Sequence, residues 1–272
     1  MSEIVAMVGK YHRPSHRRML TLAVHARERI SAHFVSLTLG GPDVDLLEKS
    51  GYDQWGRFFI PGPGQVDITI PSSTRWRVQI VSAAKRPRIR SYTIRRFRPE
   101  LSAFDIEVAV HENADDAEAP GSAWALSAHP GDTLGFLDEG HSYGATPNAE
   151  WQLLVGDESA VPAILAIVER SILPTQAFLE VPTRDDVRRD IPESAAGGIH
   201  WLPRDDDKIK PGTLALQAVK DARLAPGPFY TWVAGESSLP TGVRRHLVND
   251  RGVPKSDIAF TGYWRHGRAS LG

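Results

Sequence analysis

The 272-residue chain contains no cysteine. Disulfides, thiolate metal sites, cysteine nucleophiles and cysteine-ligated iron–sulfur clusters are thereby excluded together. Net charge is equally scarce: 32 basic residues against 33 acidic ones leave −1. No overall field therefore draws the chain toward nucleic acid or an anionic membrane, and any anion-binding surface must be a local patch. No apolar run approaches the ~20 residues of a membrane-spanning helix, so no stable membrane insertion is expected. Residues 1–10 lack a sustained apolar core behind a positive start. No secretory signal is visible, and a cytoplasmic protein is expected. The glycine-rich G-x-G-x-x-G fingerprint is also missing. No nucleophile–histidine–acid arrangement stands out, so no catalytic side chain and no protein metal site are predicted.

What remains is an ordinary globular composition, 41% hydrophobic and 24% charged. At roughly 100–200 residues per domain, the length suits two domains. In the first half, Leu20, Leu22 and Val24 alternate, as do Val35, Leu37 and Leu39 before Gly40 and Gly41. This predicts two strands joined by a polar turn. The period-two pattern returns over 66–70, over 75–80 (Trp76, Val78 and Ile80 on one face) and over 104–110. Residues 53–61 form an extended apolar segment interrupted by Arg57, a cation that either snorkels beside Trp55 or faces an acidic ligand. Short strands with glycine and proline punctuation predict a closed antiparallel barrel, since an open sheet would expose its edges. The basic arm at 12–18 reads as a solvated tail.

The most telling stretch is R-S-Y-T-I-R at 90–95. Pro87 holds the residue before it out of the helical region, and Ile89, Tyr92, Thr93 and Ile94 favour a strand. Arg90, Arg95 and Arg96 bracket an aromatic ring and a hydroxyl. That set suits a ligand with phosphates at one end and a flat hydrogen-bonding ring at the other, such as a flavin dinucleotide. It also suits a solvated edge strand. Downstream, Pro120, Gly121, Ser122 and Ala123 open a short helix whose free N–H groups could meet a pyrophosphate, or simply begin a helix. Residues 134–137 then close the barrel.

The second half reads as α/β. A buried strand at 151–155 runs through Gly156 into a helix entered at Pro162. Strands follow at 177–181, 198–202, 229–234 and 257–260, with helices around 214–219 and 243–248. In an open parallel sheet the ligand crevice lies at the carboxyl ends of the strands, where Gly156 and Gly235 fall. The fold class is therefore β plus α/β, with a barrel domain over 1–147 and a nucleotide-binding-type domain over 148–272.

The motifs R-S-Y-T-I-R, G-S-A-W-A (121–125), P-G-D-T-L-G (130–135), G-D-E-S-A-V-P-A-I (156–164), W-V-A-G-E (232–236) and G-Y-W-R-H-G (262–267) occur in this order. Together they resemble the siderophore-interacting proteins, flavin-dependent ferric-siderophore reductases. The resemblance implies a ferredoxin-reductase-like chain with FAD on the barrel and NADPH or NADH on the sheet. It would place Arg90 at the phosphates, Tyr92 against the isoalloxazine and Thr93 on the flavin ring, with Ser91 and Arg95 in the same strand. Pro120, Gly121, Ser122, Ala123 and Trp124 would hold the pyrophosphate, with His111 at the preceding link. Gly156, Asp157, Glu158 and Ser159, with Ala234, Gly235 and Glu236, would line the nicotinamide side. Arg57 and Arg265 would bind the ferric siderophore.

Three departures from the family pattern accompany the resemblance. The 112–119 loop is longer and more acidic than the usual link. Asp138 and Glu139 stand where a basic residue is common, which predicts a weakly cationic substrate pocket. The C-terminal helix that many members append is not expected. The implied reaction carries electrons from NAD(P)H, or from a ferredoxin-type donor, through FAD to chelated Fe(III), releasing Fe(II). A flavin reductase with another acceptor and a non-catalytic siderophore-binding module are the alternatives. Glu180 would favour NADH by binding a ribose hydroxyl, whereas Arg184, Arg188 and Arg204 would favour NADPH.

Overall fold

The computed structural model describes residues 11–62, 65, 68–81, 85–111, 119–189, 191–192 and 198–267. The chain forms two compact units that divide in sequence between His141 and Ser142. In the first, strands β1 (Met19–Ser31), β2 (Phe34–Gly40), β3 (Trp55–Ile60), β4 (Arg88–Thr93), β5 (Arg96–Arg98), β6 (Ala103–Ala109) and β7 (Thr133–Gly140) pair antiparallel in the order β4-β3-β7-β1-β2-β6-β5. The two edge strands, β4 and β5, are separated in sequence by only Ile94 and Arg95. The Ile94 N–H donates to the Gln54 carbonyl (2.7 Å) and the Arg95 N–H to the Asp105 carbonyl (2.8 Å). Adjacent residues thus bond to opposite ends of the sheet, which curls it into a barrel and leaves little free edge.

The barrel core gathers the inward-facing sets the alternation predicts, among them Leu20, Leu22, Leu37, Leu39 and Ile106. Phe58 sits at its centre, with ring centroids of Tyr92, Phe104 and Phe136 at 5.5, 6.3 and 5.0 Å. The strand predicted at 75–80 is instead helix α1 (Trp76–Val81). Positions 76 and 80 satisfy both a period of two and an i, i+4 spacing, so Val78 decides between them. Val78 is 75% exposed while Trp76 is 7% exposed and packs edge-on to Phe59 at 5.5 Å. In the strand predicted at 66–70, Val66 and Asp67 lie outside the described residues, and Ile68, Thr69 and Ile70 are not in a strand. The acidic segment 112–118 also lies outside them. The basic arm is not a solvated tail: His12 and His141 exchange backbone hydrogen bonds of 2.9 and 3.0 Å, and their rings stack at 4.8 Å.

After β6, the chain forms helix α2 (Pro120–Ser127) before β7. The second contains β8 (Trp151–Gly156), α3 (Val161–Arg170), β9 (Thr175–Val181), β10 (Ile199–Pro203), α4 (Thr213–Asp221), β11 (Phe229–Glu236), α5 (Ser238–Asn249) and β12 (Ile258–Trp264). All its pairings are parallel, in the order β10-β9-β8-β11-β12. The chain builds outward from β8 to β10, then crosses back to β11, so the strand order reverses between β8 and β11. That reversal opens a crevice at the carboxyl ends of these two strands.

The helical assignment of α1 is directly testable by thermal unfolding. Val78→Asp should change stability by no more than about 0.5 kcal/mol, as expected of an exposed site. Trp76→Ala should cost about 3 kcal/mol or more through lost packing on Phe59.

Candidate functional site

In the β3–β4 ladder Gly56 opposes Tyr92 and Phe58 opposes Arg90, while Arg57 opposes Ser91. Because side chains alternate, Arg90 and Tyr92 share one face with Phe58, and Arg57 and Ser91 share the other. Tyr92 lies half-buried, near-parallel to the Trp124 ring of α2 (6.4 Å, 24°). A Cβ on Gly121 would fall 2.3 Å from the Tyr92 hydroxyl and 3.5 Å from Arg90 Cγ. Only glycine lets the first turn of α2 approach these two side chains so closely.

No side chain caps α2, whose first helical residue is Pro120. The N–H groups of Gly121 and Ser122 therefore point out of the helix start without an intrahelical acceptor. The Ser122 hydroxyl accepts the His111 N–H (3.0 Å) and reaches the Ala109 carbonyl (3.4 Å), pinning α2 to the end of β6. His111 thus contributes its backbone. The Trp124 indole N–H is buried with no acceptor. Burial lowers the pKa of Arg90 and raises that of Tyr92, leaving a charged guanidinium beside a neutral phenol. Ser91 is exposed, Ala123 is half-buried and Thr93 is buried. Arg95 is buried too, with its guanidinium 3.4 Å from Glu107.

On the opposite face, Arg57 is 8% exposed. Its Nε donates to Glu139 Oε1 (2.8 Å), and Arg17 reaches the same oxygen (2.7 Å). The guanidinium also lies over Trp55 and Trp76, 5.8 and 5.6 Å from their centroids. Glu139 falls at a register shift in the β3–β7 ladder, where Trp55 opposes Gly140 and Gly56 opposes Asp138. Such an irregularity re-aims a side chain. Of the acidic pair, Glu139 offsets part of the arginines' charge, in the direction the sequence predicts. Asp138 turns to Gln54 Nε2 (2.8 Å) and the Gly140 N–H (2.9 Å), and burial raises its pKa. Glu139 is neutralised between two arginines. Beside them lies a cavity of about 340 Å³ whose charged lining is Arg13, Arg17, Arg57, Arg75, Arg77 and Glu139. Sequence reasoning missed all but Arg57 and Glu139, because it read the arm as a tail and α1 as a strand.

In the second unit the crevice between β8 and β11 is organised by carboxylates. Asp157 is fully buried; its Oδ1 accepts the Ser159 N–H (3.0 Å) and hydroxyl (2.6 Å). Its Oδ2 accepts the Glu236 N–H (2.6 Å) and the Trp264 indole N–H (3.1 Å). Burial, with the neighbouring Glu158 carboxylate, pushes its pKa up to about 7 against these donors. Gly156 pairs with Ala234. Gly235 holds φ at 138°, and a Cβ there would lie 2.7 Å from Asp157 Cγ. Glu236 accepts the Ser238 N–H (2.8 Å) and the His266 N–H (3.2 Å). Burial opposes its ionisation, but the Ser238 hydroxyl, these two N–H groups and Lys210 together outweigh it and the pKa falls. Arg265 is exposed and lines a cavity of about 510 Å³ with Lys210, Arg245 and Glu236.

Two of the groups predicted to read the donor's ribose, Glu180 and Arg204, pair with each other. Glu180 is 0% exposed and accepts the Gly212 and Ala215 N–H groups (2.8 and 3.0 Å) ahead of and within α4. Arg204 bridges Glu180 (2.8 Å) and Glu158 (2.8 Å). Both side chains are thus engaged in ion pairs within the unit, and Arg188 is buried. Of the predicted donor-reading residues, only Arg184 is exposed.

Residues 23–143 match the siderophore-interacting FAD-binding domain family, and residues 149–267 match the siderophore-interacting protein family. The ferric vibriobactin reductase ViuB of Vibrio cholerae is 29% identical over 248 residues, covering 89% of this chain and 88% of that protein. The crystal structure of a siderophore utilization protein from T. fusca is 29% identical and superposes with a TM-score of 0.77 over 96% of this chain and 98% of its own. The ferredoxin reductase of carbazole 1,9a-dioxygenase shares the fold at 17% identity, with a TM-score of 0.61 over 92% of this chain and 71% of its own.

Two outcomes follow for the second unit. Gly235→Ala should destabilise it by about 1–3 kcal/mol, read by urea unfolding, because strain and the Asp157 clash add. Asp157 holds its proton to about pH 7 in the folded chain, but only to about pH 4 when unfolded. Its contribution to stability should therefore fall as pH rises from about 4 to about 7 and stay level above. Asp157→Asn should remove that component from the pH profile of the urea midpoint.

Proposed function

The chain belongs to the siderophore-interacting protein family, and on that premise we propose that it is a flavoenzyme that reduces the Fe(III) of ferric siderophores. The observation that carries this reading is the close approach of Gly121 to Tyr92 and Arg90. Uncapped amides, a guanidinium, an aromatic face and an orphaned indole donor converge there, a set that fits FAD. Arg90 and the N–H groups of Gly121 and Ser122 would hold the pyrophosphate. Tyr92 would cover the isoalloxazine, and its raised pKa keeps it a neutral donor. The Trp124 N–H would supply a further hydrogen bond, and Thr93 a hydroxyl beside the ring.

Bound there, FAD supplies the conversion between a two-electron nicotinamide donor and a one-electron ferric acceptor. The protein sets position and polarity and needs no general acid or base. Siderophore oxygens hold the iron, which is substrate rather than a resident metal; Fe(II) binds such hard oxygens more weakly and is released. Arg57 would bind the ferric chelate. The donor in this proposal is a nicotinamide dinucleotide at the crevice lined by Gly156, Asp157, Glu158, Ser159, Ala234, Gly235 and Glu236. With Glu180 and Arg204 tied to each other, NADPH is favoured by Arg184 and by the Lys210 and Arg245 cations beside Glu236. A ferredoxin-type protein is the alternative donor.

The purified protein should be yellow, with flavin absorption. Combined Arg90→Ala and Tyr92→Ala should remove bound FAD while circular dichroism shows the fold intact; full flavin occupancy in that variant would overturn the assignment. Oxidation of NAD(P)H should depend on an added ferric siderophore, and the ratio of kcat/KM for NADPH and NADH identifies the donor.

A further inference from the structure

The turn that follows β8 runs from Gly156 to Ala160 and leads directly into α3. Gly156, Asp157, Glu158 and Ala160 are buried, whereas Ser159 is half-buried, so a ligand entering the crevice meets this turn at Ser159. The Ser159 hydroxyl is committed inward, donating to Asp157 Oδ1 at 2.6 Å. In that state its oxygen offers the crevice only lone pairs, which repel a phosphate oxygen. Asp157 has no room to swing aside, because the β11 backbone packs so closely that a Cβ on Gly235 would lie 2.7 Å from its carboxyl carbon.

A proton on Asp157 reverses the arrangement. The Ser159, Glu236 and Trp264 N–H groups that bond the carboxylate have no lone pair to receive it, and the Ser159 hydroxyl does. The protonated carboxyl therefore donates to Ser159 Oγ, and the hydroxyl hydrogen turns away toward the accessible side. Burial and the Glu158 carboxylate, which push the Asp157 pKa up to about 7, favour this state. It also removes one negative charge from a crevice that holds Glu158 and Glu236 as well. Both changes favour an anion at the start of α3, where the helix dipole has its positive end.

From this we infer that Asp157 is a positioning residue for the nicotinamide dinucleotide: protonated, it turns the Ser159 hydroxyl into a donor for a phosphate oxygen of the ligand, so the dinucleotide binds together with one proton from solvent. The inference rests on the reading of this crevice as the dinucleotide site and adds the residue pair that sets its affinity. The ionisable groups on the elements around Asp157 are Glu158, held by Arg204 at 2.8 Å, and Glu236, held by Lys210 at 3.3 Å, with Arg265 and His266 just beyond β12. α3 begins Val161-Pro162-Ala163 and brings none there.

The test titrates the flavin-loaded protein with NADP+ by calorimetry from about pH 5 to about pH 9. Wild type is compared with Asp157→Asn, Ser159→Ala and Ser159→Thr, and the ligand's own ionisation, common to all four, cancels in the comparison. The wild-type dissociation constant should stay level up to about pH 7 and then rise by about tenfold per pH unit, because binding takes up one proton. Asp157→Asn, whose amide donates to Ser159 at every pH, should keep the tight low-pH value throughout. Ser159→Ala should lose about tenfold at low pH, which corresponds to about 1.4 kcal/mol, and should reduce the pH dependence. Ser159→Thr keeps a hydroxyl and should restore both. Without ligand, the carbon-13 signal of the Asp157 carboxyl should titrate near pH 7. A flat wild-type profile, a slope that persists in Asp157→Asn or one unchanged in Ser159→Ala would overturn the inference. No binding of NADP+ at any pH, with the Asp157 carboxyl still titrating there, would sink the dinucleotide reading and this inference with it.

Discussion

Two consecutive backbone N–H groups hold the first unit in its shape. Ile94 bonds toward β3 and Arg95 toward β6, so a single peptide step ties the two ends of a seven-stranded sheet together. The strand leading into that step is β4, which cannot slip: a shift of one residue would exchange its two faces. Register then dictates chemistry. Arg90 and Tyr92 are delivered to the face where α2 begins, and Ser91 stays beside Arg57 on the other. Gly121 completes the first face because its missing side chain is the space that Tyr92 fills.

Charge is distributed with the same economy. The near-neutral chain concentrates arginines around one barrel cavity and buries carboxylates at the crevice of the parallel sheet. In that second unit the acids hold backbone. Asp157 gathers the ends of β11 and β12 onto the turn after β8, and Glu236 bonds the start of α5. Glu180 does the same for α4 while anchoring Arg204. A buried carboxylate surrounded by donors keeps the crevice's shape where no glycine-rich phosphate loop exists.

Strands with clean alternation and a committed core face were legible from the sequence, as at Leu20, Leu22 and Val24 or at Phe104, Ile106 and Val108, because a period of two has few rivals there. The parallel sheet was legible from its continuous apolar runs. The α1 segment was not, since Trp76 and Ile80 satisfy two periods and only burial separates them. The arm failed for a different reason: Arg17 gains its partner, Glu139, from a strand more than a hundred residues away, and no local pattern encodes that pairing. The roles of Glu180 and Arg204 were hidden likewise, because a cation and an acid read as ligand-facing until each is seen to satisfy the other. The candidate flavin strand was visible as chemistry, whereas its depth and its dependence on Gly121 were matters of packing.

The central claim is that the Gly121 approach to Tyr92 and Arg90 forms the flavin site. The dissociation constant for FAD in Gly121→Val, with barrel folding checked by circular dichroism, tests it most directly. The account predicts affinity weakened by about a hundredfold or more, roughly 2.7 kcal/mol, in a barrel that still folds. An unchanged dissociation constant would contradict it.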